Sequence, residues 1–494
     1  MNFVPCLTWI PQGVAKSKPD KLQLSPEELK KIVQETKDIC GENCDIEEED
    51  EEDFSGEECE TSDVNDDQDK DDSEEDIDAK YDLDTYDNDE DRPFFNIADV
   101  AVHVDNKDDN YLIDHDAERE DEEEEEENFT IKDTDNLLVV GHVEEESSVL
   151  EIYVYNKNEE SLYVHHDIVL PSYPLALEWL NFDPSEDKTG NYLAVGDMTP
   201  VIKIWDLDVI DILEPDFSLG KISKKKSKVS MNSHSDAVLS LSWNKLVRTI
   251  LASGSADSTI ILWDLQEGKV LNRLEYHTNK VQSIQWHPFE SPFLLSGCTN
   301  GLIKIYDCRS PDTEFKSWEV DGEVEKVAWN LFDSFKFFCS TDKGCVYRMD
   351  MRKPDTELCV KAHNEAVTGL DMSPLYPNTL VTGSMDKTVK LWNIENEMNL
   401  IKSQKLKVGS IYTARVASDL KLTVAVGGNN ASNSLKIIDF AQDSEDIKPS
   451  IKLEQTTALE TQATSNVATS IRKADEMNFF DIKPHKKKIK KEKN

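Results

Sequence analysis

Residues 234–265 read "HSDAVLSLSWNKLVRTILASGSADSTIILWDL". Apolar residues alternate with small or polar ones up to Trp243, and again up to Trp263. Between these runs lies the small-residue stretch "LASGSADST" (251–259). Alternation with period two over short runs bounded by turn residues marks β-strands with one buried face.

The unit repeats. Trp243, Trp286 and Trp329 stand 43 residues apart, and a further 43 reaches Met372. Twenty residues after each comes a second marker: Trp263, Tyr306, Met349 and Trp392. Copies of altered length carry Trp179 with Trp205, Tyr155, and Ile438, making seven. A repeat of about 40–45 residues with a Trp-Asp signature corresponds to four strands per propeller blade. The expected fold is all-β: a seven-bladed WD-repeat β-propeller over residues 128–445. An acidic N-terminal insertion and a basic C-terminal tail flank it.

Within the repeats, His234, Ser253, Asp257 and Trp263 recur at the same offsets as His363, Thr382, Asp386 and Trp392. They resemble the set that holds a blade together in the WD-repeat family: a buried indole N–H needs an acceptor, and this chain supplies one. Repeat four keeps His277 and Ser296 but has Asn300 and Tyr306; repeat five, with Val320, Cys339, Lys343 and Met349, lacks the set. The role expected of these His and Asp residues is structural, with no catalytic residue. There is no phosphate-binding glycine loop, metal-binding His-Glu helix or nucleophile elbow. Cys40 and Cys44 have no second close pair, so no zinc site is expected. Adjacent His165 and His166 should point to opposite faces of a strand. The expectation is a non-enzymatic protein with no cofactor and no small-molecule ligand. An odd cysteine count without an export signal fits a reducing compartment, and no long apolar run suggests a membrane span.

Charge divides the chain. Of the net −47, −37 falls in residues 45–127, which hold 42 Asp or Glu against 5 Lys or Arg. Such a block cannot bury enough apolar surface to offset its ordering entropy, so it is expected to be disordered. It would attract basic partners such as histones or ribosomal proteins. Ser55 and Ser73 each have an acidic residue three places on and are candidate phosphosites. Lys224, Lys225 and Lys226, and Lys486, Lys487, Lys488, Lys490 and Lys491, form two basic clusters that read as nuclear targeting or RNA and DNA contacts. The second lies in an expected flexible tail, 446–494. Candidate partner residues lie on the loops of one propeller face: Asp236, Asn279, Lys280, Asn364, Glu365 and Lys387.

Residues 1–44 hold two elements. Ser25 caps an expected helix over 25–39, with Pro26 in its first turn and Glu28 completing a capping box. Before it, "NFVPCLTWI" (2–10) places Val4 and Leu7 ahead of Trp9 as Val238 and Leu241 precede Trp243. Phe3–Ile10 is therefore expected to be the innermost strand of the first blade, whose other strands begin near Leu137. The alternatives are that "NFTIKD" (128–133) takes this place, or that Phe3–Ile10 is the outer strand closing blade seven.

Four further stretches carry a closer resemblance: "GVAKSKPDKLQLSPEEL" (13–29), "VHHDIVLPSYPLALEWLNFDPS" (164–185), "TGNYLAVGDMTPVIKIWDLDVID" (189–211) and "AHNEAVTGLDMS" (362–373). They resemble the periodic tryptophan protein 1 family of eukaryotic nuclear WD-repeat proteins. The resemblance implies a nuclear, nucleolar scaffold of ribosome biogenesis and ribosomal RNA gene expression, with chromatin or preribosomal partners. The competing function is a propeller substrate receptor or scaffold in a ubiquitin ligase or methyltransferase complex.

Overall fold

A computed structural model describes residues 2–21, 96–97, 100–101, 129–145, 147–185, 188–221, 232–309 and 314–441. The expected helix, the acidic segment apart from one short strand pair, both phosphosites, both lysine clusters and the tail lie outside the described residues. The chain divides into two units. In the 23–128 unit the described elements are Asn96–Ile97 and Val100–Ala101, paired antiparallel.

The other unit is a ring of seven antiparallel sheets. Blade three shows the pattern. Val238–Trp243, Ile250–Ser255, Ile260–Asp264 and Lys269–Leu274 pair in chain order from the inside outward. The two inner pairings bury nearly every side chain of the second and third strands, and the outermost strand alternates toward solvent. Blades four, five and six repeat this, beginning at Val281, Val324 and Gly369. Blade two begins at Pro174. Blade seven has Ile411–Val416, Thr423–Gly428 and Leu435–Asp439, three strands among the described residues.

Blade one joins distant parts of the chain. Its inner strand is Asn2–Ile10, paired antiparallel with Asn136–Glu144, followed outward by Ser147–Asn156 and Ser161–Leu170. Residues 129–135 form no strand; Ile131 is buried, and its N–H donates to the Ser17 carbonyl at 2.8 Å. Each inner strand packs on the next, and Ile411–Val416 packs on Asn2–Ile10 to close the ring.

The packing at this seam repeats that of the other seams. In blade three Gly254 leaves room for the next blade: a Cβ there would sit 2.8 Å from Val281 Cγ1. Gly427 of blade seven meets Val4 in the same way, so Val4 occupies the place of Val281. A β-bulge follows the first inner residue between Val238 and Ser240, Val281 and Ser283, and Val324 and Lys326; in blade one it falls between Phe3 and Cys6. Bulges of this kind add local twist. Trp9 is 7% exposed, and its indole N–H donates to the Arg415 carbonyl at 3.2 Å. Asn136 Nδ2 and the Gln12 N–H both donate to Asp419 of blade seven at 2.8 Å.

Candidate partner-binding face

The blade-three chain of hydrogen bonds runs inward from an indole to a carboxylate. Trp263 Nε1–H donates to Ser253 Oγ at 2.8 Å, and Ser253 Oγ lies 2.7 Å from His234 Nε2. His234 Nδ1 faces the Asp257 carboxylate at 3.2 Å. The carboxylate accepts, so the proton sits on Nδ1, and Nε2 accepts from the serine hydroxyl. Blade six repeats the order with Trp392, Thr382, His363 and Asp386. Blade four keeps the His277–Ser296 bond at 2.8 Å. In blade five Cys339 takes the serine position, and the chain is missing there.

These carboxylates hold loops. Asp257 also accepts from the Ser235 N–H at 2.9 Å and the Thr259 hydroxyl at 2.6 Å. Burial pushes its pKa up, but the bonds from His234, Thr259 and Ser235 outweigh burial and hold it well below the usual carboxylate range. Asp386 is lowered likewise, against burial, by Thr388, the Asn364 N–H and His363. His363 is pulled down to about 4, chiefly by burial. An Asp-Thr pair two residues apart is thus part of each network, and the repeat comparison missed Thr259 and Thr388.

The six loop residues expected to meet a partner, Asp236, Asn279, Lys280, Asn364, Glu365 and Lys387, are all exposed. Their backbone is pinned from beneath. Ser255 Oγ donates to the Asp236 carbonyl and Ser384 Oγ to the Glu365 carbonyl, each at 3.2 Å. The Thr299 N–H donates to the Lys280 carbonyl at 3.1 Å. Asp257 and Asp386 receive the neighbouring N–H groups of Ser235 and Asn364. The networks therefore fix a row of polar and charged loop tips in blades three, four and six. The loops joining first and second strands lie on the opposite face and are apolar: Phe289, Phe332, Phe335 and Leu375 of blades four to six are each 39–49% exposed.

His165 and His166 depart from the expectation of opposite faces. The partner register steps from Ile152–His166 to Tyr153–Val164, making His165 the extra residue of a bulge. The bulge breaks the alternation, and the two Nδ1 atoms meet at 2.9 Å. His165 Nε2 lies 2.9 Å from the Phe129 carbonyl, and burial with the His165 neighbour pulls His166 down to about 4. Among the described residues no group of three or more His, Cys, Asp or Glu is placed to hold a metal.

The inner strands carry a second set of bonds that the repeat comparison passed over. In four blades the residue before the Trp position reaches the next blade. Glu178 accepts from the Trp243 N–H at 3.0 Å, Ser242 from Trp286 at 3.1 Å, Gln285 from Trp329 at 2.6 Å, and Asp371 from Val416 at 2.9 Å. An inner strand has an edge facing the channel, and these side chains satisfy its N–H groups. The signal was one column of the repeat alignment, read only for its apolar neighbours.

The fold is that of a WD-repeat propeller, a scaffold architecture. The family profile "WD domain, G-beta repeat" matches residues 225–264, 268–307 and 355–393. An uncharacterized WD repeat-containing protein of Schizosaccharomyces pombe is 38% identical over 358 residues, covering 70% of this chain and 69% of that one. A periodic tryptophan protein 1 homolog of Drosophila melanogaster is 39% identical over 54% of this chain, and the match spans just over half, 56%, of the relative. Periodic tryptophan protein 1 of Saccharomyces cerevisiae is 33% identical over 36% of this chain and 38% of its own. Among solved structures, the WD40 beta propeller domain of Doa1 gives a TM-score of 0.48 at 19% identity, over 61% of this chain and 88% of that one. The chain belongs to the periodic tryptophan protein 1 family of WD-repeat proteins.

Proposed function

We propose that the protein is a nuclear, nucleolar scaffold of ribosome biogenesis and ribosomal RNA gene expression, acting through proteins of preribosomes or chromatin rather than by catalysis. The observation that carries this reading is family membership joined to a propeller face whose exposed loop tips are held from beneath. In this reading Asp236, Asn279, Lys280, Asn364, Glu365 and Lys387 meet a folded partner. Residues 45–127, at −37, gather basic proteins such as histones or ribosomal proteins by long-range attraction, and repel nucleic acid. The lysine clusters at 224–226 and 486–491 supply the nuclear address. Ser55 and Ser73, if phosphorylated, add to the acidity rather than reverse it.

The test is affinity purification of the tagged full chain from nuclear extract over graded salt, beside a chain lacking residues 45–127 and one with charge reversals at Lys280, Glu365 and Lys387. The reading expects ribosomal or preribosomal proteins, or histones. One class should leave at moderate salt and fall with the acidic deletion, because exposed charges are screened over about 8–10 Å. A second class should survive salt and fall with the charge reversals. Recovery of a ligase or methyltransferase core instead would establish the substrate-receptor function. Identical recovery from all three chains would overturn the assignment of both surfaces.

A further inference from the structure

The inner strands surround a central channel, and between them it widens into a void of about 40 Å³. Water needs roughly 10–15 Å³ by this measure, so the void matches a few water-sized groups, the scale of one small oxyanion. Lys326 of blade five and Arg415 of blade seven both line it, with Cys6, Ser240 and Thr413. No carboxylate lines it. Among the described residues neither cation has a carboxylate partner within 4 Å.

The nearby carboxylates stand outside the void's lining: Glu178 and Asp371 feel the Arg415 charge and Glu325 that of Lys326, without an ion-pair contact. Glu178 takes the Trp243 N–H, and Asp371 takes the N–H groups of Met372 and Val416. Two like charges therefore line one partly open cavity between the inner strands. Taking charges out of water is costly unless an opposite charge or hydrogen bonds compensate them. Burial first, and Arg415 second, pull the Lys326 ammonium down to about 8. Ser240 Oγ already accepts the Ile284 N–H at 3.0 Å, which leaves its own proton to donate.

We propose that this void is a binding site for a phosphate-class oxyanion, held between the Lys326 ammonium and the Arg415 guanidinium, with Ser240 and Thr413 as hydroxyl donors. The anion neutralises the repulsion between the two cations and ties blade five to blade seven. The ligand is either free phosphate or a phosphate monoester presented by a small solute.

The experiment is isothermal titration calorimetry on the full chain at fixed ionic strength in chloride. Inorganic phosphate and O-phosphoserine serve as the two probes, against wild type, Lys326→Met and Arg415→Met. The proposal expects saturable one-site heat with inorganic phosphate and an affinity at least tenfold lower in each variant. A response to O-phosphoserine as well would extend the ligand to monoesters. Circular dichroism checks that the variants fold. Wild type alone supplies a second readout: affinity should fall several-fold between pH 8 and 9.5 as Lys326 loses its proton. The Cys6 thiol, pushed up to about 12, stays neutral over that range; the other titratable groups packed around the void are Glu178, Glu325 and Asp371, whose carboxyls burial raises. No saturable heat from either probe, affinity unchanged in both variants, or affinity flat across that pH range would overturn the proposal.

Discussion

Replacing Ser253 with alanine removes one oxygen and leaves two buried groups without partners. Ser253 is fully buried; its hydroxyl accepts from Trp263 Nε1 at 2.8 Å and faces His234 Nε2 at 2.7 Å. A buried donor or acceptor left unsatisfied costs about 1–3 kcal/mol. With the indole N–H and the imidazole nitrogen both stranded, the expected loss is about 2–4 kcal/mol, a large share of a domain stability of about 5–15 kcal/mol. The assay is urea unfolding followed by far-ultraviolet circular dichroism. Two comparisons isolate the cause. Ser253→Thr keeps the hydroxyl, as Thr382 does in blade six, and should retain most of the stability. In a Trp263→Phe background the indole donor is gone, so Ser253→Ala should cost about 1 kcal/mol less there; contacting residues couple by about 0.5–3 kcal/mol. A loss below about 0.5 kcal/mol for Ser253→Ala, or full additivity with Trp263→Phe, would refute the view that this chain holds the blade.

Acid should destabilise the ring between pH 6.5 and 4. Burial pulls His277 and His363 down to about 4 in the fold, so over that interval the unfolded chain binds protons that the folded one refuses. Their stability contribution is complete above pH 6.5 and is lost as pH falls toward 4, at about 1.4 kcal/mol per pH unit for each histidine. His166, also pulled down to about 4, acts in the same sense, whereas His142, raised by its bond to Glu151, contributes stability that is lost as pH rises instead. His277→Gln should remove one histidine's share from a plot of urea stability against pH; an unchanged slope would refute the assignment. Trp9→Ala should cost about 3–5 kcal/mol, as large aromatic truncations do. A loss under about 1 kcal/mol would show that the N-terminal strand adds little to the ring.

The blades were legible because the propeller repeats one packing problem. In repeats three to six the first strand buries an aliphatic residue five places, and another two places, before its Trp position, and Val4 and Leu7 follow that rule as Val238 and Leu241 do. The same rule placed Asn2–Ile10 in blade one although more than a hundred residues separate it from Asn136. The hydrogen-bonded sets in blades three and six were legible for the same reason. What escaped was whatever a repeat leaves free to vary. The residues reaching between inner strands are Glu178, Ser242, Gln285 and Asp371, four residue types doing one job, so no signature marks them. Lys326 and Arg415 are single departures from small or polar neighbours, and the channel that gathers them exists only once the ring closes. The meeting of His165 and His166 depends on a bulge, and one inserted residue leaves no mark on local alternation.

The account rests on residues 2–10 closing the ring, and amide hydrogen exchange read by mass spectrometry tests this directly. The peptide covering 2–10 should retain slow-exchanging amides, those that bond its partner 136–144, because the two strands are paired from Asn2–Glu144 to Ile10–Leu137 and Ile411–Val416 packs on 2–10. Exchange of 2–10 at the rate of an unstructured peptide, while 136–144 stays protected, would contradict the account.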